Sequence, residues 1–188
     1  MLVTRSAPWP PVETELPPRG PDTPRPGTEL GPHYVKCFGC GEQPDGLHMR
    51  LVVGEHDHLE ATFKVTEAHQ GAPGLAHGGL LACAFDEALG TTAGMLLGKP
   101  AVTGKLETDF LRPVPVDSVL HIRSKLDGVA GRKVYVSAEG RLDGPDGPVA
   151  VRARGLFVVV ELEHFAKHGR ADDIKAVTEN PDMLRVNP

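Results

Sequence analysis

His69-Gln70-Gly71-Ala72-Pro73-Gly74-Leu75-Ala76-His77-Gly78-Gly79-Leu80-Leu81-Ala82-Cys83-Ala84-Phe85-Asp86-Glu87 changes character at its midpoint. The first half has the Gly and Pro content of a loop, and from Gly78 onward the chain reads as an apolar helix running to Leu97. Asp86 and Glu87 are the only charged residues in that run. A glycine loop opening into a helix presents bare backbone N–H groups at the positive end of the helix dipole, which suits negative charge. A carboxylate further along an apolar helix is costly unless it has a use. The helix residues combine small positions (Gly78, Gly79, Ala82, Ala84, Ala88, Gly90, Ala93, Gly94) with bulky ones (Leu80, Leu81, Phe85, Leu89, Met95, Leu96), leaving no polar face. A helix that is apolar all round is an enclosed one.

What encloses it lies on both sides in sequence. Leu47–Val53 and Leu59–Val65 alternate apolar and polar residues around a Gly54–Asp57 turn, where His56 and His58 form a solvated tip. Downstream, residues 102–110, 119–126, 133–141 and 149–160 read as four more strands. Arg112-Pro113-Val114-Pro115 breaks the pattern after the first, and glycine-rich turns join the others. The nearly continuous apolar run Leu156–Val160 predicts a central strand buried on both faces. Two strands, one long helix and four strands bury well in one way: an antiparallel sheet wraps the helix, an α+β arrangement.

The flanks differ in composition. Residues 1–32 hold nine of the 18 prolines and little aliphatic periodicity, which predicts a disordered, solvated arm with Trp9 as a docking point. The domain is expected over residues 33–162. Residues 163–188 form a polar tail with a short helix around Glu163–His168. Cys37-Phe38-Gly39-Cys40 is half of a zinc motif, but no second pair follows at finger spacing, and His33 and His48 stand at no recognised interval. With Pro44 and Gly46 nearby, the segment reads as a structural turn, with no metal expected.

The chain of 188 residues, 40% hydrophobic and 24% charged, has the composition of a globular domain with extensions. A net charge of −5 gives no reason to expect nucleic acid or a membrane as partner. Asp86-Glu87 interrupts the longest apolar stretch, and no basic-then-apolar leader is visible near Met1. Three cysteines are too few for a disulfide framework, so a cytoplasmic setting is expected.

Gly71-x-x-Gly74-x-x-His77-Gly78-Gly79 followed by Asp86 resembles the motif of hotdog-fold acyl-CoA thioesterases of the PaaI-like branch, which includes relatives of the Them-type enzymes. The stretch from Thr103 to Arg112-Pro113-Val114-Pro115 resembles the same group. So do Gly131-Arg132-Lys133 and Cys37-Phe38-Gly39-Cys40-Gly41 with Gly46-Leu47, and the likeness spans residues 35–160. It implies a hotdog fold and hydrolysis of an acyl-CoA thioester to free acid and CoA, without a cofactor. It further implies that Gly78 gives its backbone N–H to the thioester carbonyl, that Asp86 is the nucleophile or general base, and that Thr103 orients the attacking water. His77 fixes the loop or contacts substrate. Gly71, Gly79 and His69 fall at substrate-contacting positions, although related enzymes often carry Asn where this chain has Gly71. Arg112, Arg132 and Lys133 are the candidates for the CoA phosphates.

Spacing adds an independent constraint. Asp86 lies eight residues beyond Gly78, about 12 Å along a helix. Attack requires the reacting groups within about 3–3.5 Å. The two are therefore expected to serve one carbonyl from different subunits, as a homodimer or a dimer of dimers. Competing readings are a hotdog protein that binds acyl-CoA without turnover, and a dehydratase, whose Asp/His pattern this loop does not resemble.

Overall fold

The computed structural model describes residues 8–180 and Met183. The long helix, α1 (Gly78–Leu97), is the only element of its length among them. Its start is fixed by His77, extended at φ −69°, ψ 130°, whose Nδ1 accepts the Gly79 N–H. Its end is fixed by Gly98, which takes the left-handed conformation at φ 60° and returns its N–H to the Gly94 carbonyl.

Strands β1 (Glu29–Leu30), β2 (Arg50–Val53) and β3 (Leu59–Lys64) precede the helix, followed by a small hairpin of β4 (Gln70–Ala72) and β5 (Leu75–Ala76). After it come β6 (Ala101–Phe110), β7 (Val119–Ala130), β8 (Lys133–Leu142) and β9 (Val149–Val159). Seven of these form one antiparallel sheet in the order β1-β2-β3-β7-β8-β9-β6, and α1 lies against β3, β6, β7, β8 and β9. Period-two alternation turns Leu59, Ala61 and Phe63 of β3, and Leu120 and Ile122 of β7, into the core. There they meet Leu81, Ala84, Phe85, Ala88, Leu89 and Met95 of α1. By length and composition α1 could span a membrane, but here these apolar positions are taken up by the sheet. One buried polar pair ties the layers together. Thr92 Oγ1 lies 2.5 Å from Ser124 Oγ and donates to the Ala88 carbonyl at 2.8 Å, so neither hydroxyl is left unpaired.

All six strands expected from sequence are present, with three differences in detail. β9 is not central: it is second from the edge, and of its Leu156–Val159 run only Phe157 is buried. Strand order is set by the hairpin connections and the helical crossover, which give the middle of the sheet to β7 and β8. The arm, expected to be solvated with Trp9 as a docking point, is largely exposed over its described part but touches the sheet at a few residues. Trp9 Nε1 donates to Asp127 Oδ2 at 2.9 Å, and its ring meets Tyr135 edge-on at 5.3 Å. The Arg154 guanidinium stacks over that ring, Glu15 bridges to Val129, and β1 lengthens the sheet. A large ring with one polar corner gains from both contacts, which offsets the ordering of an otherwise featureless segment. Residues 1–7 lie outside the described residues. The tail holds the expected α2 (Glu163–His168) and also an unforeseen α3 (Ala171–Glu179).

The two sheet edges are unequal. β1 presents two residues, whereas β6 presents ten, and an open strand of that length is a template for pairing with another chain.

Candidate active site

The loop before α1 is braced by its own side chains. His69 is buried, its Nδ1 accepting the Thr66 N–H at 3.0 Å, and its carbonyl accepts the His77 N–H at 2.8 Å. Gln70 Oε1 accepts the Gly74 N–H. A Cβ on Gly71 would stand 2.7 Å from the Cα of His77, so the hairpin folds flat onto the helix cap only with glycine there. This gives a packing reason for glycine at the position where the chain departs from the pattern it resembles. Gly71→Ala is expected to lower the melting temperature by several degrees, since overpacking typically costs about 1–3 kcal/mol. A melting curve matching wild type would show that His77 can move aside freely.

His77 spends its Nδ1 on the Gly79 amide at 2.9 Å. His77 thus caps the helix, one of the two roles anticipated for it, and the N–H of Gly79, expected to contact substrate, is engaged in that cap. Gly78 is the first residue of α1, and the opening N–H groups of a helix have no intrahelical acceptor. His69, also expected at the substrate, braces the loop through its Nδ1.

Two turns further on, Asp86 Oδ1 accepts the Thr103 hydroxyl at 2.7 Å. Thr103 reaches it from the start of β6, beside a register shift between Thr103 and Lys105 that bends the strand at this point. Burial raises the Asp86 carboxyl above its ordinary value, the Thr103 hydrogen bond opposing and the charge of Glu87 adding. Glu87 faces elsewhere. Its side chain is only 8% exposed and lies 3.2 Å from His33 Nδ1 and 3.2 Å from Cys37 Sγ. Burial, the largest single influence, would raise Glu87, but the hydrogen bond and charge of His33 together with the Cys40 and Cys37 hydrogen bonds outweigh it and hold the carboxyl low. The two adjacent acids thus have separate environments, as their angular offset on a helix requires.

Asp86 and Thr103 stand at the mouth of a cavity of about 490 Å³. Its polar end holds Asp86, Glu87, Thr103 and His33, and its apolar walls are Gly90, Gly94 and Phe157 with Phe165, Ile174 and Val177 of the tail helices. The tail, expected to be polar with one short helix, therefore builds part of the wall. Its sequence signal was Phe165 with Ile174 and Val177 at helical spacing, faint within a polar segment. A larger hollow of about 740 Å³ on the outer sheet face is lined by charges paired with one another, Arg154 with Glu107 and Arg152 with Glu139. It holds neither Asp86 nor Thr103.

The three basic candidates do not meet within one chain. Arg112 donates to the Val149 carbonyl at the start of β9, whereas Arg132 and Lys133 form the hairpin tip beside Val158 and Val159 at its end. About nine strand residues separate them, roughly 30 Å. Gly78 and Asp86 are likewise apart: the ring of Phe110, at the far end of β6, lies over Gly78, whereas Thr103 near its beginning holds Asp86.

The thioesterase superfamily profile matches residues 73–148, from the glycine loop through α1 to the end of β8. Over this span the chain resembles the thioesterase superfamily, and its fold is the hotdog fold. The hotdog domain is 35% identical over 122 residues to the acyl-coenzyme A thioesterase THEM4 of Bos taurus, covering 63% of this chain and 49% of that one. The chain thus spans about half the length of the curated relative it matches. A crystal structure of a thioesterase superfamily protein aligns at 35% identity and a TM-score of 0.53, over 58% of this chain and 53% of that one. The PaaI protein of E. coli shares the fold at a TM-score of 0.55 and 19% identity, over 61% and 80% of the two chains.

The hotdog domain also brings together four residues that sequence reasoning left apart. His33, Cys37, Cys40 and Glu87 each present a donor atom, and all four atoms lie within 4.8 Å of one another. His48, the other histidine weighed for this role, is exposed and bonded to the Gln43 carbonyl. A hydrogen bond from Cys40 pulls the Cys37 thiol down to about 7 and pushes Cys40 up.

Proposed function

We propose that the protein is an acyl-CoA thioesterase whose site forms between two copies of the chain. The observation that carries this reading is the Asp86–Thr103 pair at 2.7 Å, at the mouth of an apolar cavity. With Oδ1 held by Thr103, Oδ2 takes a proton from water as its oxygen attacks the thioester carbonyl. The negative charge that develops on the carbonyl oxygen is met by the Gly78 N–H at the head of α1. Collapse expels the CoA thiolate, which leaves as the thiol once protonated. The similarity to an acyl-CoA thioesterase supports the substrate class.

The second copy follows from the β6 edge. Antiparallel pairing of two β6 strands about a two-fold axis between Leu106 and Glu107 sets Thr103 of one copy opposite Phe110 of the other. That pairing carries Asp86 toward the other copy's Gly78, which no single chain achieves. It likewise brings Arg112 toward the other copy's Arg132 and Lys133, uniting the three cations at the entrance for the CoA phosphates. The cavity walls, including Phe165 and Ile174, would receive the acyl chain.

The test is thiol release from a panel of short, aryl and long-chain acyl-CoAs, read with a thiol reagent. Turnover of at least one member, lost in Asp86→Asn, is expected. Tight acyl-CoA binding without release from any member would favour a non-catalytic acyl-CoA carrier instead.

A further inference from the structure

The cluster of His33, Cys37, Cys40 and Glu87 includes the sequence neighbour of Asp86, yet the proposed hydrolysis gives it no task. Its geometry has three features of a coordination shell. The observed spacings are 3.2 Å from Cys40 Sγ to His33 Nδ1, 3.2 Å from His33 Nδ1 to Glu87 Oε1, and 3.2 Å from Cys37 Sγ to Glu87 Oε2. Four ligands placed tetrahedrally about zinc at about 2.0–2.3 Å stand roughly 3.3–3.8 Å from each other, so a small outward adjustment of these side chains admits the ion. The backbone is shaped for it as well. The Gly39 N–H points to Cys37 Sγ at 3.3 Å, a contact that supports a thiolate. Gly41 N–H closes the turn onto the Cys37 carbonyl at 3.0 Å. A Cβ on Gly39 would sit 2.5 Å from Glu87 Oε2, so the turn presses directly onto the carboxylate. Finally, the donors are chemically matched: two sulfurs, one imidazole and one carboxylate suit a borderline-soft divalent ion, and four protein ligands leave no open position.

We propose that His33 Nδ1, Cys37 Sγ, Cys40 Sγ and Glu87 form a structural zinc site that fastens the segment preceding β2 to the turn of α1 carrying Asp86. The site's role is positional. Glu87 is held by the metal, which leaves Asp86 as the acid at the cavity that is free to act with Thr103. The ion crosslinks residues 33–40 to residue 87, a closure of long loop length for a domain with no disulfide among its three cysteines. The same four atoms admit a rival state, a Cys37–Cys40 disulfide with a His33–Glu87 ion pair, which the experiment separates.

Full-length protein purified without chelator is analysed for metals by mass spectrometry, and apoprotein is titrated with Zn²⁺ and with Co²⁺. About one zinc per chain is expected, falling at least about tenfold in Cys37→Ser and Cys40→Ser. Co²⁺ should give a thiolate-to-cobalt charge-transfer band in wild type, a readout on the unaltered protein that holds even where a cysteine variant folds poorly. Glu87→Gln should keep that band but weaken Zn²⁺ affinity by at least about tenfold. Failure of wild-type apoprotein to take up either metal, or purified protein two hydrogens lighter in which neither Cys37 nor Cys40 reacts with a thiol reagent, would overturn the site.

Discussion

Replacing Asp86 by Asn is expected to lower kcat by about 10²- to 10⁴-fold, the usual contribution of a positioned acid–base group. KM should change little, because the carboxylate acts on the attacking water rather than on the bound substrate. The substitution is a narrow one. Asn keeps an acceptor for the Thr103 hydroxyl at the position where Oδ1 now takes it at 2.7 Å, and Asp86 is only half-buried, so the fold has no reason to suffer. A circular dichroism melt should therefore overlay wild type while turnover falls. Full activity in Asp86→Asn would remove this residue from the chemistry. Glu87 is no substitute for it, since its carboxylate is engaged with His33 and Cys37.

Gly78→Pro is expected to cost about 10²- to 10³-fold in kcat, the effect of removing one oxyanion donor. Proline has no N–H, and the first position of a helix is where it is best tolerated. The residue before a proline favours an extended backbone, and His77 already has one at φ −69° and ψ 130°. Space is available too, since a Cβ at Gly78 would meet Phe110 at an ordinary 3.4 Å. Gly78→Ala, which keeps the N–H in the same place, should stay within about threefold of wild type, well short of the loss of a donor. Equal losses in the two variants would trace the effect to bulk rather than to the hydrogen bond.

The parts of this molecule that were legible in sequence are those governed by local periodicity. α1 declared itself through an apolar surface with no polar side, and the strands through alternation that β3 and the first half of β7 satisfy residue by residue. Asp86 stood out because a charge inside such a helix needs a reason, and Thr103 was placed through family likeness. What stayed hidden depends on distant pairing. The β4–β5 hairpin is built of Gln, Gly, Ala and Leu and carries no strand pattern, so the burial of His69 and the packing of Gly71 on His77 had no sequence signal. The position of β9 follows from topology, which apolar content does not report. Glu87 meets Cys37 across 50 residues of chain, and no motif spacing encodes a ligand set assembled between a loop and a helix. Trp9 was recognised as an anchor because a large aromatic residue in a proline-rich arm has few other uses.

The claim that joins these observations is that Asp86 and Gly78 act on one thioester from two different copies of the chain. Mixing the two inactive variants tests it directly. Asp86→Asn and Gly78→Pro chains, co-expressed with different tags or reassorted from denaturant, form heterodimers in which one site carries both lesions and the other carries neither. Random pairing at equal amounts should restore thiol release to about a quarter of the wild-type rate, because half the dimers hold one intact site of two. A mixture no more active than either variant alone, with heterodimers demonstrated by the tags, would place both groups in the same chain's site and contradict the shared arrangement.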